Sequence, residues 1–418
     1  MVRVLMSAYA CEPQQGSEPA VGWHWAWEAA SAGHEVWVVT RRNNREVIEA
    51  ALPGMLGPRP QFEYVDLPGV FRWLKRRGGH FGLIVYYYLW QIAIVPRALR
   101  LHRELRFDVV HHVTFVNDTL PSGLSMVPAP FVWGPIGGSS HRIPKTVRVD
   151  LPRGARWYER MRSAAHWTLR RADPFVILTR HRATAILVYT REALKALPPP
   201  SRRRARSIIH IGMSPTDVPD RDPGVLIRDG SSLVVVTGGR LVHWKGYDLV
   251  VRGFAQFLKS TPTVNDARLV VTGAGPYRGQ LEVLARELGV SERVAFTGRL
   301  ATRELFLSAL QQADVFALPT LRDGPPLALI EAMACGLPVI CLDIGAVAEM
   351  VPSFAGVKIP PLSADYVVNE IACSLQKFNE DIAATRLMGR AGKAFVEEHY
   401  AWNRIQQEIN RTYRDVVR

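Results

Sequence analysis

A chain of 418 residues, 48% hydrophobic and 22% charged, carries enough apolar material for two globular domains and lacks the composition of a disordered or collagen-like protein. Its net charge of +14 and pI near 9.9 point to anionic partners: phosphate esters, nucleic acid or acidic lipid. The four cysteines, Cys11, Cys335, Cys341 and Cys373, show no CxxC or Cys/His metal spacing, which argues against a zinc or disulfide scaffold and for a reduced, cytoplasmic protein.

The first elements read as alternating strands and helices. Residues 2–7 predict a strand, followed by a polar loop to Gly16. A helix capped by Ser17 then runs through Trp23, Trp25 and Trp27 to Ser31, and residues 35–40 return as a strand. This is a βαβ unit without the GxGxxG of a dinucleotide fold. Gly16 stands just before the helix, where only glycine lets a phosphate approach the backbone so closely. The longest apolar run, 81–95, falls short of the ~18 residues that argue for a membrane span, and it reads as a buried helix or an interfacial one, buried being favoured. Basic clusters at Arg41-Arg42, Lys75-Arg76-Arg77, Arg97 to Arg106 and Arg202 to Arg204 concentrate in the first half and suggest a functional face there. Residues 107–114 form a further strand whose C-terminal end, the place where open α/β sheets hold ligands, carries His111 and His112. Alternation lets one of the two face a cleft.

Residues 131–138 repeat the strand-then-glycine pattern, 185–189 close the first half, and the Pro, Asp, Gly and Ser-rich stretch 213–230 reads as a linker. A second βα series opens at Leu233. Its first strand ends in Gly239-Arg240, with Lys245-Gly246 five positions on. Two cations so placed between glycines suit a diphosphate, since Arg can grip two oxygens while Lys supplies a mobile point charge. Strand-to-glycine junctions recur at 269–276 and 294–299, and Val315 to Pro319 leads into Asp323-Gly324-Pro325-Pro326, a turn that opens a helix stopped by Gly336 and Pro338. Glu331, inside that apolar helix, is costly to bury without a partner. Two acids, Asp323 and Glu331, flanking a helix N-terminus fit a site that binds hydroxyls while the helix end faces an anion.

These motifs resemble the retaining glycosyltransferases of family 4. That family carries a Gly-Arg…Lys-Gly diphosphate element, here Gly239-Arg240 to Lys245-Gly246. It also carries Glu, seven residues, Glu, then Ala-Met-Ala-x-Gly-x-Pro-Val, here Asp323, Glu331 and residues 332–339. The resemblance implies an α/β GT-B fold. Two Rossmann-like domains face a central cleft, and a C-terminal helix crosses back to the first. The expected bounds are 1–212 for acceptor binding, 213–230 for the linker, 231–395 for the nucleotide-sugar domain and 396–418 for the helix.

The resemblance implies that a sugar moves from a nucleotide-diphosphate sugar, UDP being expected, to a hydroxyl of a carbohydrate, lipid-linked or small-molecule acceptor with retention. No metal or cofactor is expected. Arg240 and Lys245 would hold the diphosphate, Glu331 the ribose, and Asp323 the donor sugar with backbone near Gly324 and Leu327. Gly16 would line the phosphate side, the base would lie near Phe296 to Arg299, Gly298 among them, and His111 matches the first histidine of a family His-x-His. Asp for Glu shortens the arm at 323, and Pro325 and Pro326 have no N–H to donate. Asp220-Arg-Asp222 resembles the metal motif of another glycosyltransferase fold but lies in the linker with no buried strand before it, so it is set aside. Also expected are a cytoplasmic enzyme with peripheral contact to the inner, anionic membrane face through Lys75 to Arg103, and no nucleic-acid partner. The competing readings are a catalytically silent nucleotide-sugar-binding subunit and a GT-B epimerase.

Overall fold

The computed structural model describes every residue except 14, 138–141, 149–150, 215–216, 219–232, 262–265 and 323. Asp323 and the pair Asp220 and Asp222 therefore lie outside the described residues, as does most of the expected linker. Within the described residues the chain forms two parallel sheets. The first contains β1 (Arg3–Ser7), β2 (Glu35–Arg41), β3 (Gln61–Val65), β4 (Val109–His112), β5 (Phe131–Ile136), β6 (Ala183–Val188) and β7 (Ala205–Ser207). The second contains β8 (Val234–Gly238), β9 (Arg268–Thr272), β10 (Val294–Gly298), β11 (Val315–Leu318), β12 (Val339–Leu342) and β13 (Gly356–Ile359). Their orders are β3-β2-β1-β4-β5-β6-β7 and β10-β9-β8-β11-β12-β13. Central strands such as Val315–Leu318 and Val339–Leu342 are buried along their whole length because helices cover both faces, which is why they read as continuous apolar runs.

The chain divides into two compact units: Met1–Ser140, Ser163–Gly212 and Trp402–Arg418 in the first, His141–Arg162 and Met213–Ala401 in the second. The stretch expected as one domain, 1–212, is thus interrupted, since His141–Arg162 belongs with the second unit. The last helix, Trp402–Val417, packs on Ser17–Ser31 of the first. His24 stacks on Trp402 with ring centroids 4.2 Å apart, and Gln406 donates to Glu28 at 3.1 Å.

In the first unit the helix Gly79–Leu105 turns Tyr87, Trp90, Ile94, Ala98 and Leu101 into the core at helical spacing. Tyr9, just past β1, meets Tyr86, Tyr87, Trp90 and Phe115 edge-on at 5.1–6.3 Å. Each such pair adds roughly 0.5–1.5 kcal/mol beyond area burial. The reading of 81–95 as a buried helix holds for that inward side only, since Phe81 and Ile92 on the same helix are exposed. The helix Ser17–Ser31 is preceded by Gly16 at the cap position, with no side-chain cap, rather than being capped by Ser17.

Candidate functional site

Strand order reverses between β1 and β4 in one sheet and between β8 and β11 in the other. At such a reversal two successive connections leave in opposite directions and open a crevice at the strand C-termini.

In the second unit that crevice is lined by the loops leaving β8 and β11. Gly239 and Arg240 are exposed at the end of β8, and a 3-10 turn, His243–Lys245, leads to Gly246 and the helix Tyr247–Ser260. The two loops are stitched together: Leu321 N donates to Trp244 O at 2.8 Å and Thr320 Oγ1 to the same oxygen at 3.2 Å. Gly246 is held at φ 70, and a Cβ there would collide with Pro319 O, so this approach of the two loops needs glycine. The loops after β9 and β10 join the rim, with Leu241 N donating to Ala274 O and Gly273 N to Gly298 O. Gly298 lies at φ 72 and Arg299 is exposed.

The helix Leu327–Ala334 starts at the end of the β11 loop, with Gly324 and Pro325 before it and Pro326 at its cap position, φ −74 and ψ 121. Proline cannot donate, so the leading donors of this helix end are the N–H groups of Leu327 and Ala328. One turn on, Glu331 is only 4% exposed. Its carboxylate accepts from Arg303 Nε at 2.7 Å, and Arg303 reaches Asp217 at 3.4 Å. Burial pushes the Glu331 carboxyl up from its ordinary value against the pull of Arg303. The sequence gives no hint of Arg303, because the pair is 28 positions apart.

A second ion cluster borders the β8 loop. Glu159, on the helix Arg153–Ala172, lies 2.9 Å from Arg322, 3.3 Å from His243 and 3.5 Å from Arg162. Burial raises its pKa, but these three partners outweigh it and bring it down to about 2. Arg322 in turn covers the Trp244 ring at 4.3 Å. Neither Glu159 nor Arg322 stands in any local motif. Among the described residues no group of three His, Cys, Asp or Glu side chains could hold a metal ion.

The corresponding place in the first unit is filled by protein. His111 Nδ1 and Tyr413 Oη are 2.7 Å apart, and His111 Nε2 lies 2.7 Å from Gly134 O, beside the Trp25 ring. Burial lowers its pKa to about 3. His112 points the other way, 3.4 Å from Tyr87 Oη, with burial lowering its pKa to about 4. The expectation that one of the pair faces a cleft is therefore corrected: alternation sends them to opposite faces of β4, and helices cover both. Gly16 is half-buried at φ −87, backbone that any residue can adopt. Glu18, next in that helix, accepts from Val116 N at 2.8 Å and closes the loop after β4.

Residues 220–381 match the family model described as glycosyl transferases group 1. The matched segment carries the whole crevice just described from Gly239 to Glu331, apart from Glu159, Arg162 and Asp217. The chain is 31% identical over 183 residues to the GDP-mannose-dependent monoacylated alpha-(1-6)-phosphatidylinositol monomannoside mannosyltransferase of Corynebacterium glutamicum. That match takes in 42% of this chain and 45% of that relative, less than half its length. A 2-deoxystreptamine glucosyltransferase of Streptomyces kanamyceticus is 23% identical over 337 residues, 76% of this chain and 80% of the relative. The sucrose-phosphate synthase of Thermosynechococcus elongatus superposes on the full chain, and on 99% of its own, with a TM-score of 0.65 at 19% identity. The fold is GT-B, and the segment matched by the family model lies within its second unit.

Proposed function

We propose that this protein is a retaining glycosyltransferase that moves a sugar from a nucleotide-diphosphate sugar to a hydroxyl acceptor without a metal ion. The observation that carries the reading is the β8–β11 crevice. Arg240 and Lys245 follow one strand, a helix N-terminus follows the other, and the loops are locked together through Gly246, Trp244 and Leu321. As the glycosidic C–O bond breaks, negative charge grows on the departing diphosphate. Fixed cations and N–H dipoles aimed there stabilise the transition state more than the ground state. Glu331, one helical turn inside, is proposed to accept the ribose hydroxyls once Arg303 shares it. Asp323 is proposed to meet the donor sugar, and the Gly298-Arg299 rim the base. With protein cations doing the neutralising and no covalent nucleophile, the leaving phosphate itself takes the acceptor proton.

For the acceptor we propose a lipid-linked or glycan hydroxyl, handled by a cytoplasmic protein in contact with the anionic face of a membrane. The expected basic stripe from Lys75 to Arg103 needs revising as the means of contact. Lys75 lies over the Tyr9 and Tyr86 rings with its pKa lowered by burial to about 8, and Arg97 and Arg100 are paired with Glu63 and Glu104.

A donor screen tests the proposal. Purified protein is incubated with UDP-, GDP- and ADP-sugars, reading thermal shift and nucleotide release, with Arg240→Ala and Glu331→Ala as controls. One nucleotide-sugar should stabilise the wild type, turn over slowly, and lose both effects in the variants. UDP is the expected base, and the relative named above makes GDP its main competitor. Binding without release, with or without acceptor, would favour a silent binding subunit. Conversion of the sugar without release would favour an epimerase.

A further inference from the structure

The helix Gly79–Leu105 has a second apolar side that its own unit leaves partly uncovered. By length and composition, Phe81–Leu105 could cross a membrane, yet less than half of its most apolar stretch is buried. Phe81, Val85, Tyr88, Ile92 and Val95 recur at alternating spacings of four and three, which places them on one stripe. Phe81 is 76% exposed and Ile92 46%. Where the stripe meets the chain after β4 and the helix Pro174–Arg182, it opens a cavity of about 280 Å³. Ile92, Val95, Pro96, Met126 and Phe175 form its walls, with Met126 and Phe175 themselves 48% and 42% exposed at the mouth.

The charges around this face are mainly basic, although Asp173, the cap of the helix Pro174–Arg182, accepts from Tyr88 of the stripe at 3.0 Å. From Leu67 to Arg103 the sequence holds seven Lys or Arg and no Asp or Glu. Lys75 lies over the Tyr9 and Tyr86 rings and Arg97 and Arg100 are paired with Glu63 and Glu104, which leaves Arg72, Arg76, Arg77 and Arg103 for the rim. From Pro174 to Arg191 it again holds no acid. The short helix Gly69–Arg77, packed beside the stripe, exposes Val70, Trp73 and Leu74 together with Arg72, Arg76 and Arg77. Arg182 stands at the cavity, donating to Ser125 O at 3.2 Å. An apolar stripe rimmed by exposed arginines and aromatics is the pattern of a surface that lies in a membrane interface. A protein partner or a second copy of the chain would call for acidic or neutral complementarity that this face does not offer itself.

We propose that this face docks on an anionic bilayer and that an acyl chain of a bilayer lipid enters the cavity between Ile92, Met126 and Phe175. The cationic rim draws the protein to the lipid headgroups, a force that salt weakens over about a Debye length of 10 Å. The apolar stripe and cavity then make the contact persist. This deepens the membrane part of the proposed function. It is read without any sugar donor, so failure of the donor screen and failure of this inference are separate results.

The test uses the full chain and vesicles of phosphatidylglycerol and phosphatidylcholine in equal parts at low salt. Wild type should co-sediment with the vesicles, and the double variant Ile92→Glu, Phe175→Ser should bind at least tenfold more weakly with an unchanged far-ultraviolet spectrum. Arg76→Glu with Arg77→Glu should weaken binding and flatten its salt dependence. A Met126→Trp variant should gain fluorescence that lipids brominated on the acyl chain quench, which surface attraction alone does not produce. No sedimentation of wild type would overturn the inference, as would a double variant that binds like wild type. Sedimentation without quenching of Met126→Trp would overturn the acyl-chain cavity.

Discussion

The two units repeat one topology and use its reversal point in opposite ways. Between β8 and β11 the crevice keeps Arg240 exposed, a helix end that its cap residue Pro326 leaves without a side-chain hydrogen bond, and a buried carboxylate shared with Arg303. Between β1 and β4 the same place is packed with His111, Tyr413 and Trp25, and the loop beyond is closed by Glu18. A strand order that reverses offers a crevice, but the residues at the strand ends decide whether it holds a ligand or the protein's own C-terminal helix. The contrast separates chemistry from stability, and each side can be attacked by itself.

The largest effect is expected at the second crevice. Arg240→Ala should lower kcat/KM by two to three orders of magnitude, about 3–4 kcal/mol of transition-state stabilisation, with the melting temperature unchanged. Next comes Arg303→Ala. It leaves the Glu331 carboxylate buried without its partner, and a destabilisation of about 3 kcal/mol is expected in urea unfolding. Because Arg303 is partly exposed, solvent relieves some of this, and adding Glu331→Gln should recover part of the loss. Gly246→Ala should cost at least about 2 kcal/mol from its left-handed backbone and the clash with Pro319 O, with loss of donor binding. Normal stability in that variant would mean that the β8 and β11 loops are not locked as described.

The same contrast explains what could be read from the sequence. The elements that line the second crevice are local. Gly239-Arg240…Lys245-Gly246 and Glu331 with its Ala-Met-Ala-x-Gly-x-Pro-Val tail each fit within a dozen residues or so, so spacing alone revealed the strand ends and the helix start. The parallel strands were equally visible, because burial on both faces removes polar residues from them. Arg303, Glu159 and Arg322 left no such trace, since each acts through a partner 28 or more positions away. His111 misled for the same reason. A histidine at a strand end is a fair ligand candidate until the residue that meets it, Tyr413, arrives from 302 positions down the chain. The outward stripe of the Gly79–Leu105 helix was hidden within an apolar run that looked uniform, because composition does not tell which half of a helix finds a core.

A pH measurement probes the first reversal point. His111 has its pKa lowered by burial to about 3 from an ordinary value of 6.5, and His210 and His112 are lowered to about 3 and about 4 by the same cause. The unfolded chain therefore takes up protons below pH 6.5 that the folded unit refuses. The stability these groups contribute is complete above pH 6.5 and is lost as pH falls from there toward their folded values. His111→Gln should reduce the slope of unfolding free energy between pH 6 and 5 by about 1.4 kcal/mol per unit, the value of one proton. It should leave kcat/KM of the folded protein unaltered at pH 7.5. A large loss of turnover in a folded His111→Gln protein would make the first reversal point chemical as well and dissolve the contrast.

The smallest effect concerns Gly16, which precedes a helix as Gly246 does but in extended backbone. Gly16→Ala should change stability by no more than about 0.5 kcal/mol, since nothing in its conformation requires glycine. Turnover then separates two reasons for a glycine at that position. If donor phosphate comes against the backbone there, the added methyl should raise KM for the nucleotide-sugar several-fold while the melting temperature stays put. If KM is also unmoved, Gly16 is a loop residue, and phosphate recognition belongs to the second unit alone. Gly246 and Gly16 would then show, at equivalent places in one topology, a glycine that the fold demands and one that it merely tolerates.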